Sequence, residues 1–170
     1  MWIAIASAGR PHGIKGGASL KFYHEEYAFL EQGDSVLLTP ASNQSRLSKE
    51  GEIFKISQII YGHKMMIYFE GINSRTEIEN ILPFKLEFEE EHFPELDDGE
   101  LFYHQIIGLK VIDEASEIDL GVVKDVYDNG AQKVITVSGA TTFDLPWVEA
   151  FIKSVDKEKN EVKIVKPQFT

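Results

Sequence analysis

Apolar residues recur at every second position or in short continuous runs over most of the chain, and turn residues interrupt them at short intervals. A period of two marks a strand with one buried face, and frequent interruption is the pattern of a barrel or sandwich. In the first half this predicts strands at Trp2 to Ala8, Ala18 to Phe22, Ser35 to Thr39, Ile53 to Tyr61, Met65 to Phe69 and Leu82 to Phe88. Between the last two, Ser74 followed three residues later by Glu77 makes a capping box, so one short helix is expected within residues 73–81. In the second half, strands are predicted at Leu109 to Asp113, Gly121 to Tyr127, Lys133 to Val137, Thr142 to Leu145, Phe151 to Val155 and Glu161 to Val165. Asp128-Asn129-Gly130 and Glu158-Lys159-Asn160 are turn signals between neighbouring strands. The reading is all-β, with no internal repeat.

Residues 89–100, Glu-Glu-Glu-His-Phe-Pro-Glu-Leu-Asp-Asp-Gly-Glu, combine like charge with Pro94 and Gly99. Such a segment cannot bury itself, and it reads as an exposed acidic linker between a domain at 1–88 and a second at 101–170. A length of 170 residues at 43% hydrophobic suits two compact cores.

Charge narrows the choice of partner. The formal net charge is -11, which repels bare nucleic acid, yet the excess acid is concentrated in the linker, where seven Asp and Glu meet no Lys or Arg. A basic protein partner is favoured through complementary fields, and any nucleic-acid contact must be local. The absence of cysteine excludes disulfides, thiolate catalysis and cysteine metal sites, and fits a reducing compartment. The apolar start, Met1 to Ala8, lacks a basic flank and stops at Gly9, too short for a signal segment. No run approaches the roughly 20 apolar residues of a membrane span. A cytoplasmic monomer without a membrane anchor is expected.

Candidate chemistry is sparse. His12, His24, His63, His92 and His104 stand singly, with no pair at helical spacing, and the glycines of residues 9–17 lack the order of a phosphate loop. No catalytic residue, metal site or cofactor is predicted. Two stretches do stand out. Gly9-Arg10-Pro11-His12-Gly13-Ile14-Lys15-Gly16 is a glycine-punctuated basic turn whose Arg10, His12 and Lys15 point at solvent: either a contact loop or a tight hairpin with solvated charges. Leu101-Phe102-Tyr103 opens the second domain. In a single strand neighbours face opposite ways, so at least one of the three should be exposed, as barrel cap or as an aromatic hot spot. Phe143, Trp147 and Phe151 suit a core, and Pro146 the end of a strand at a sheet edge.

The basic turn, then Leu101 to Gly108, then Leu120 to Val123 with Asp128 to Ala131, and finally Leu145-Pro146-Trp147 to Val155-Asp156, occur in an order that resembles the RimM family of ribosome maturation factors over nearly the whole chain. The resemblance implies a six-stranded, translation-factor-like N-terminal β-barrel and a C-terminal PRC-barrel. It implies assistance in late assembly of the small (30S) ribosomal subunit head and in 16S rRNA processing, without enzymatic activity. By position, Leu101, Phe102 and Tyr103 fall where the family binds a small-subunit ribosomal protein, and Arg10, His12 and Lys15 are expected to meet adjacent 16S rRNA. Leu101 stands in place of a usual tyrosine, Gln105 where an acid is common, and Gln132-Lys133 where Asn-Asp is usual. A PRC-barrel adaptor of another complex and an enzyme on a flavin-reductase-like barrel are the alternatives.

Overall fold

The computed structural model describes residues 1–167; the last three residues of the predicted 101–170 domain lie outside the described residues. Chain contacts divide the protein into two units, Met1–Glu95 and Leu96–Thr170.

The first unit is a closed barrel of six strands: β1 (Trp2–His12), β2 (Gly17–Phe22), β3 (Ser35–Pro40), β4 (Glu52–Ile60), β5 (Met65–Phe69) and β6 (Phe84–Glu89), in the order β1-β2-β5-β4-β3-β6. Alternation sets the faces. Ala18 and Leu20 of β2 and Ile67 and Phe69 of β5 are buried, while Lys21 between them in pattern is exposed. Closure of the sheet removes its edges, so every strand has two neighbours. Helix α1 (Arg75–Ile81) links β5 to β6 and buries Ile78 and Ile81. Its start carries the expected cap: Ser74 Oγ accepts from Glu77 N at 3.2 Å and donates to Glu77 Oε1 at 3.0 Å.

The leading part of the acidic segment is more ordered than its charge suggests. Glu90–His92 form a 3₁₀ turn, and Phe93 packs its ring against Phe29 at 4.9 Å and Phe88 at 5.8 Å. One aromatic side chain thus ties residues 89–93 to the first unit against their like-charge repulsion. Residues 97–100 are exposed.

The second unit is a single curled sheet of six strands, β7 (Lys110–Asp113), β8 (Asp119–Asp128), β9 (Lys133–Ser138), β10 (Thr142–Pro146), β11 (Ile152–Asp156) and β12 (Glu161–Ile164), in the order β10-β9-β8-β7-β12-β11. The sheet is a half-barrel, with β10 and β11 as its outer strands. All pairs are antiparallel except β12 with β7. Pro146 ends edge strand β10, where a missing N–H costs nothing in the ladder. Phe143 is buried, and Trp147 and Phe151 are half-buried against the same core, as their spacing predicts. Among the described residues no helix is long and apolar enough to cross a membrane.

Candidate nucleic-acid interface

The basic stretch at residues 9–16 is only partly a turn. Strand β1 continues through Gly9, where its pairing with β2 shifts register, to His12, so that Arg10 pairs with Ser19 and His12 with Gly17. The turn proper is residues 13–16. Gly13 (φ 66°) and Gly16 (φ 92°) take left-handed backbone, and Gly16 has a second constraint: a Cβ there would lie 2.7 Å from the Ile72 carbonyl oxygen. Gly17 is held as closely, since its Cβ would meet the Tyr68 ring at 2.7 Å. The glycines let the loop seat on the barrel.

The start of α1 then fixes the loop from the other side. Arg75 N donates to Ile14 O at 3.1 Å, Arg75 Nη1 donates to Gly13 O at 3.2 Å, and Arg75 Nε is paired with Glu79 at 2.8 Å. What remains free of the barrel is the Ile14 side chain, 78% exposed, with Lys15 exposed beside it. Arg10 is exposed and His12 half-buried. A loop anchored through its backbone and presenting its side chains loses little entropy when it binds.

Arg10 and Lys15 do not converge. Lys15 borders a depression of about 630 Å³ with Ser57, Tyr68, Glu70 and Asn73. Arg10 instead borders a shallow groove of about 690 Å³ across β1, β2 and the β4–β5 hairpin, with Lys21, Phe22, Glu25, His63 and Lys64. Lys21, His63 and Lys64 escaped the sequence reading because they are far apart in the chain, and only the strand order β1-β2-β5 brings them to Arg10. The available signal was the outward position of Lys21 in the alternation of β2.

The segment at Leu101–Tyr103 differs from expectation. All three residues are buried, at 5%, 4% and 7% exposure, so the expected exposed member is not found. The argument from strand alternation does not apply, because Tyr103–Ile106 is a helical turn, α2. Helical spacing sends Tyr103 and Ile106 to one side, where with Leu101 they join the core of the second unit. Phe102 stacks on His104, with ring centroids 5.8 Å apart. Two side chains, Gln105 and Lys133, hold this turn in place. Gln105 Oε1 accepts from Phe102 N at 2.9 Å, the cap contact that a glutamate would make. Lys133 Nζ donates to Leu101 O at 2.7 Å and lies 4.8 Å from the Tyr103 ring centroid.

Residues 3–93 match the family model for the RimM N-terminal domain, and residues 103–170 match the model for the RimM PRC barrel domain. The chain belongs to the RimM family. The ribosome maturation factor RimM of Shouchella clausii is 31% identical over 96% of this chain and 93% of its own length. That of Bacillus pumilus is 28% identical over 96% of this chain and 92% of its own, and that of Ectopseudomonas mendocina 27% identical over 90% and 85%. Both units are therefore RimM modules, in the family's order.

Proposed function

We propose that this RimM-family chain is a cytoplasmic ribosome maturation factor that assists late assembly of the small-subunit head and 16S rRNA processing, acting by binding and not by catalysis. The anchored basic loop is the observation that carries this reading. Arg10 and Lys15 meet rRNA phosphates, with His12 hydrogen-bonding or stacking beside them. The full-length relatives, each named a ribosome maturation factor, support the assignment. A basic small-subunit ribosomal protein of the head is the partner of the second unit, drawn by the acidity of the chain. Because Leu101, Phe102 and Tyr103 are buried, they act by supporting that surface from beneath, with Ile107, 49% exposed just past α2, as the nearest apolar contact.

Co-sedimentation with immature and mature small subunits tests the reading. Selective association with immature particles is expected, and replacing Arg10 and Lys15 by alanine should weaken it and flatten its salt dependence. Failure to associate with either particle would defeat the assignment and favour an adaptor of a different complex.

A further inference from the structure

The groove beside Arg10 has a composition unlike the rest of an acidic protein. Arg10, Lys21 and Lys64 border it against a single carboxylate, Glu25, while the chain as a whole carries a net charge of -11. The cations come from three strand regions: Arg10 from the end of β1, Lys21 from the outward face of β2, and Lys64 from the tip of the β4–β5 hairpin, next to His63. The register fixes their spacing, since Arg10 pairs with Ser19 on β2, and Ser19 in turn with Met66 on β5. Several cations along one groove suit a polyanion better than a single point anion.

The groove also has an aromatic side. Phe22 forms part of its wall and stacks on Tyr61, with centroids 6.2 Å apart and planes within 7°. Tyr61 is fixed in turn by its hydroxyl, which donates to Leu30 O at 2.6 Å, yet the residue as a whole stays 43% exposed. A partly exposed aromatic pair beside cations supplies the two components of a surface for single-stranded nucleic acid: phosphates pair with the cations and bases stack on the rings, with little dependence on sequence. An acidic peptide would use the cations and leave the rings idle.

We propose that this groove binds a short single-stranded RNA segment, with Arg10, Lys21 and Lys64 on its phosphates and the Tyr61–Phe22 pair under a base. The proposal deepens the assembly reading, on which it rests for the RNA being ribosomal, and places the main RNA contact on the groove in addition to the loop tip at Lys15.

The test is anisotropy titration of a labelled unstructured RNA oligonucleotide with the full chain over a range of salt. Each phosphate contact on a single strand contributes about -0.7 to the slope of log K against log salt. Lys21→Ala with Lys64→Ala should therefore flatten the slope by about 1.4 and weaken binding about tenfold or more at low salt. Lys49→Ala with Lys55→Ala, an equal charge change at exposed lysines outside the groove, should leave the slope near that of the parent. Tyr61→Ala should weaken binding roughly fivefold to a hundredfold with the slope retained. Tyr61→Phe, which keeps the ring and loses only the hydroxyl, should bind like the parent. Equal effects of the two lysine pairs would overturn the proposal, as would an acidic peptide that binds the groove more tightly than RNA. If the Lys21 and Lys64 variant still co-sediments with immature subunits at an unchanged slope, the groove assignment falls and the assembly role stands. If the parent fails to co-sediment, the assembly role falls while the oligonucleotide titration still decides the groove.

Discussion

Replacing Tyr103 by alanine separates a core role from a docking role. Tyr103 is 7% exposed, lies in the core of the second unit with Leu101 and Ile106, and has Lys133 Nζ 4.8 Å from its ring centroid. Truncating a buried aromatic side chain removes its transfer free energy and leaves a cavity, a loss of about 3 to 5 kcal/mol. In a domain of this size each kcal/mol moves the melting temperature by about 4 to 8 °C, so the variant should melt at least about 12 °C below the parent. Calorimetry of the full chain is the suitable assay, because two units can melt separately and the loss should fall on one transition only. Had the ring been a docking group on the surface, the same substitution would leave melting within about 2 to 4 °C and reduce partner binding alone. A shift below about 4 °C would refute the burial argument. Lys133→Met, which keeps most of the aliphatic stem but loses the hydrogen bond to Leu101 O and the cation over Tyr103, should cost about 1 to 2 kcal/mol on that same transition.

Three further outcomes concern the first unit. Gly16→Ala combines a left-handed backbone with a Cβ 2.7 Å from the Ile72 carbonyl oxygen, and should destabilise the barrel by about 1 to 3 kcal/mol in denaturant melts; a neutral variant would mean the loop is not seated as described. Ser74→Ala should cost about 1 kcal/mol through loss of the α1 cap, read as a shifted denaturant midpoint at constant m. Burial, with the charges of Asp34 and Glu31 adding to it, pushes the Tyr61 phenol up to about 12. The folded state then holds this proton more tightly than the unfolded chain, so its contribution is complete below pH 10 and is lost as pH rises from 10 towards 12. Stability of the parent should fall across that window more steeply than that of Tyr61→Phe; parallel curves would contradict the assigned burial.

The strand pattern was legible because the barrel and the half-barrel each have one buried face, so polarity alternates along β2 and β10, while β5 stands out as a short continuous apolar run. The helix after β5 was legible from Ser74 and Glu77 alone. What escaped was governed by tertiary contact. Residues 89–93 carry the charge of a linker, but the ring of Phe93 finds Phe29 and Phe88, and one such contact outweighs solvated like charges. Strand alternation gives Leu101–Tyr103 one exposed member; the turn α2 is too short to show a period, and its cap uses Gln105, a residue with many other uses.

The basic surface shows the limit of charge counting most clearly. A net charge of -11 speaks against RNA only if the field is averaged over the molecule. At physiological salt a charge is screened beyond about 8 Å, so a phosphate in the groove responds to the three cations and one carboxylate that border it, and only weakly to acids elsewhere. Strand order decides which charges are neighbours, and it joins positions 10, 21 and 64 at a groove whose lining holds one carboxylate, Glu25. Acids beyond the screening length act chiefly at low ionic strength, where they oppose encounter. Selectivity follows from this arrangement: RNA can gain only where it reaches the groove closely, and a duplex, whose bases are stacked internally, cannot also use the rings of Tyr61 and Phe22. Duplex RNA of the same length should therefore compete poorly with the single strand, and equal competition would mean that the cations alone make the contact.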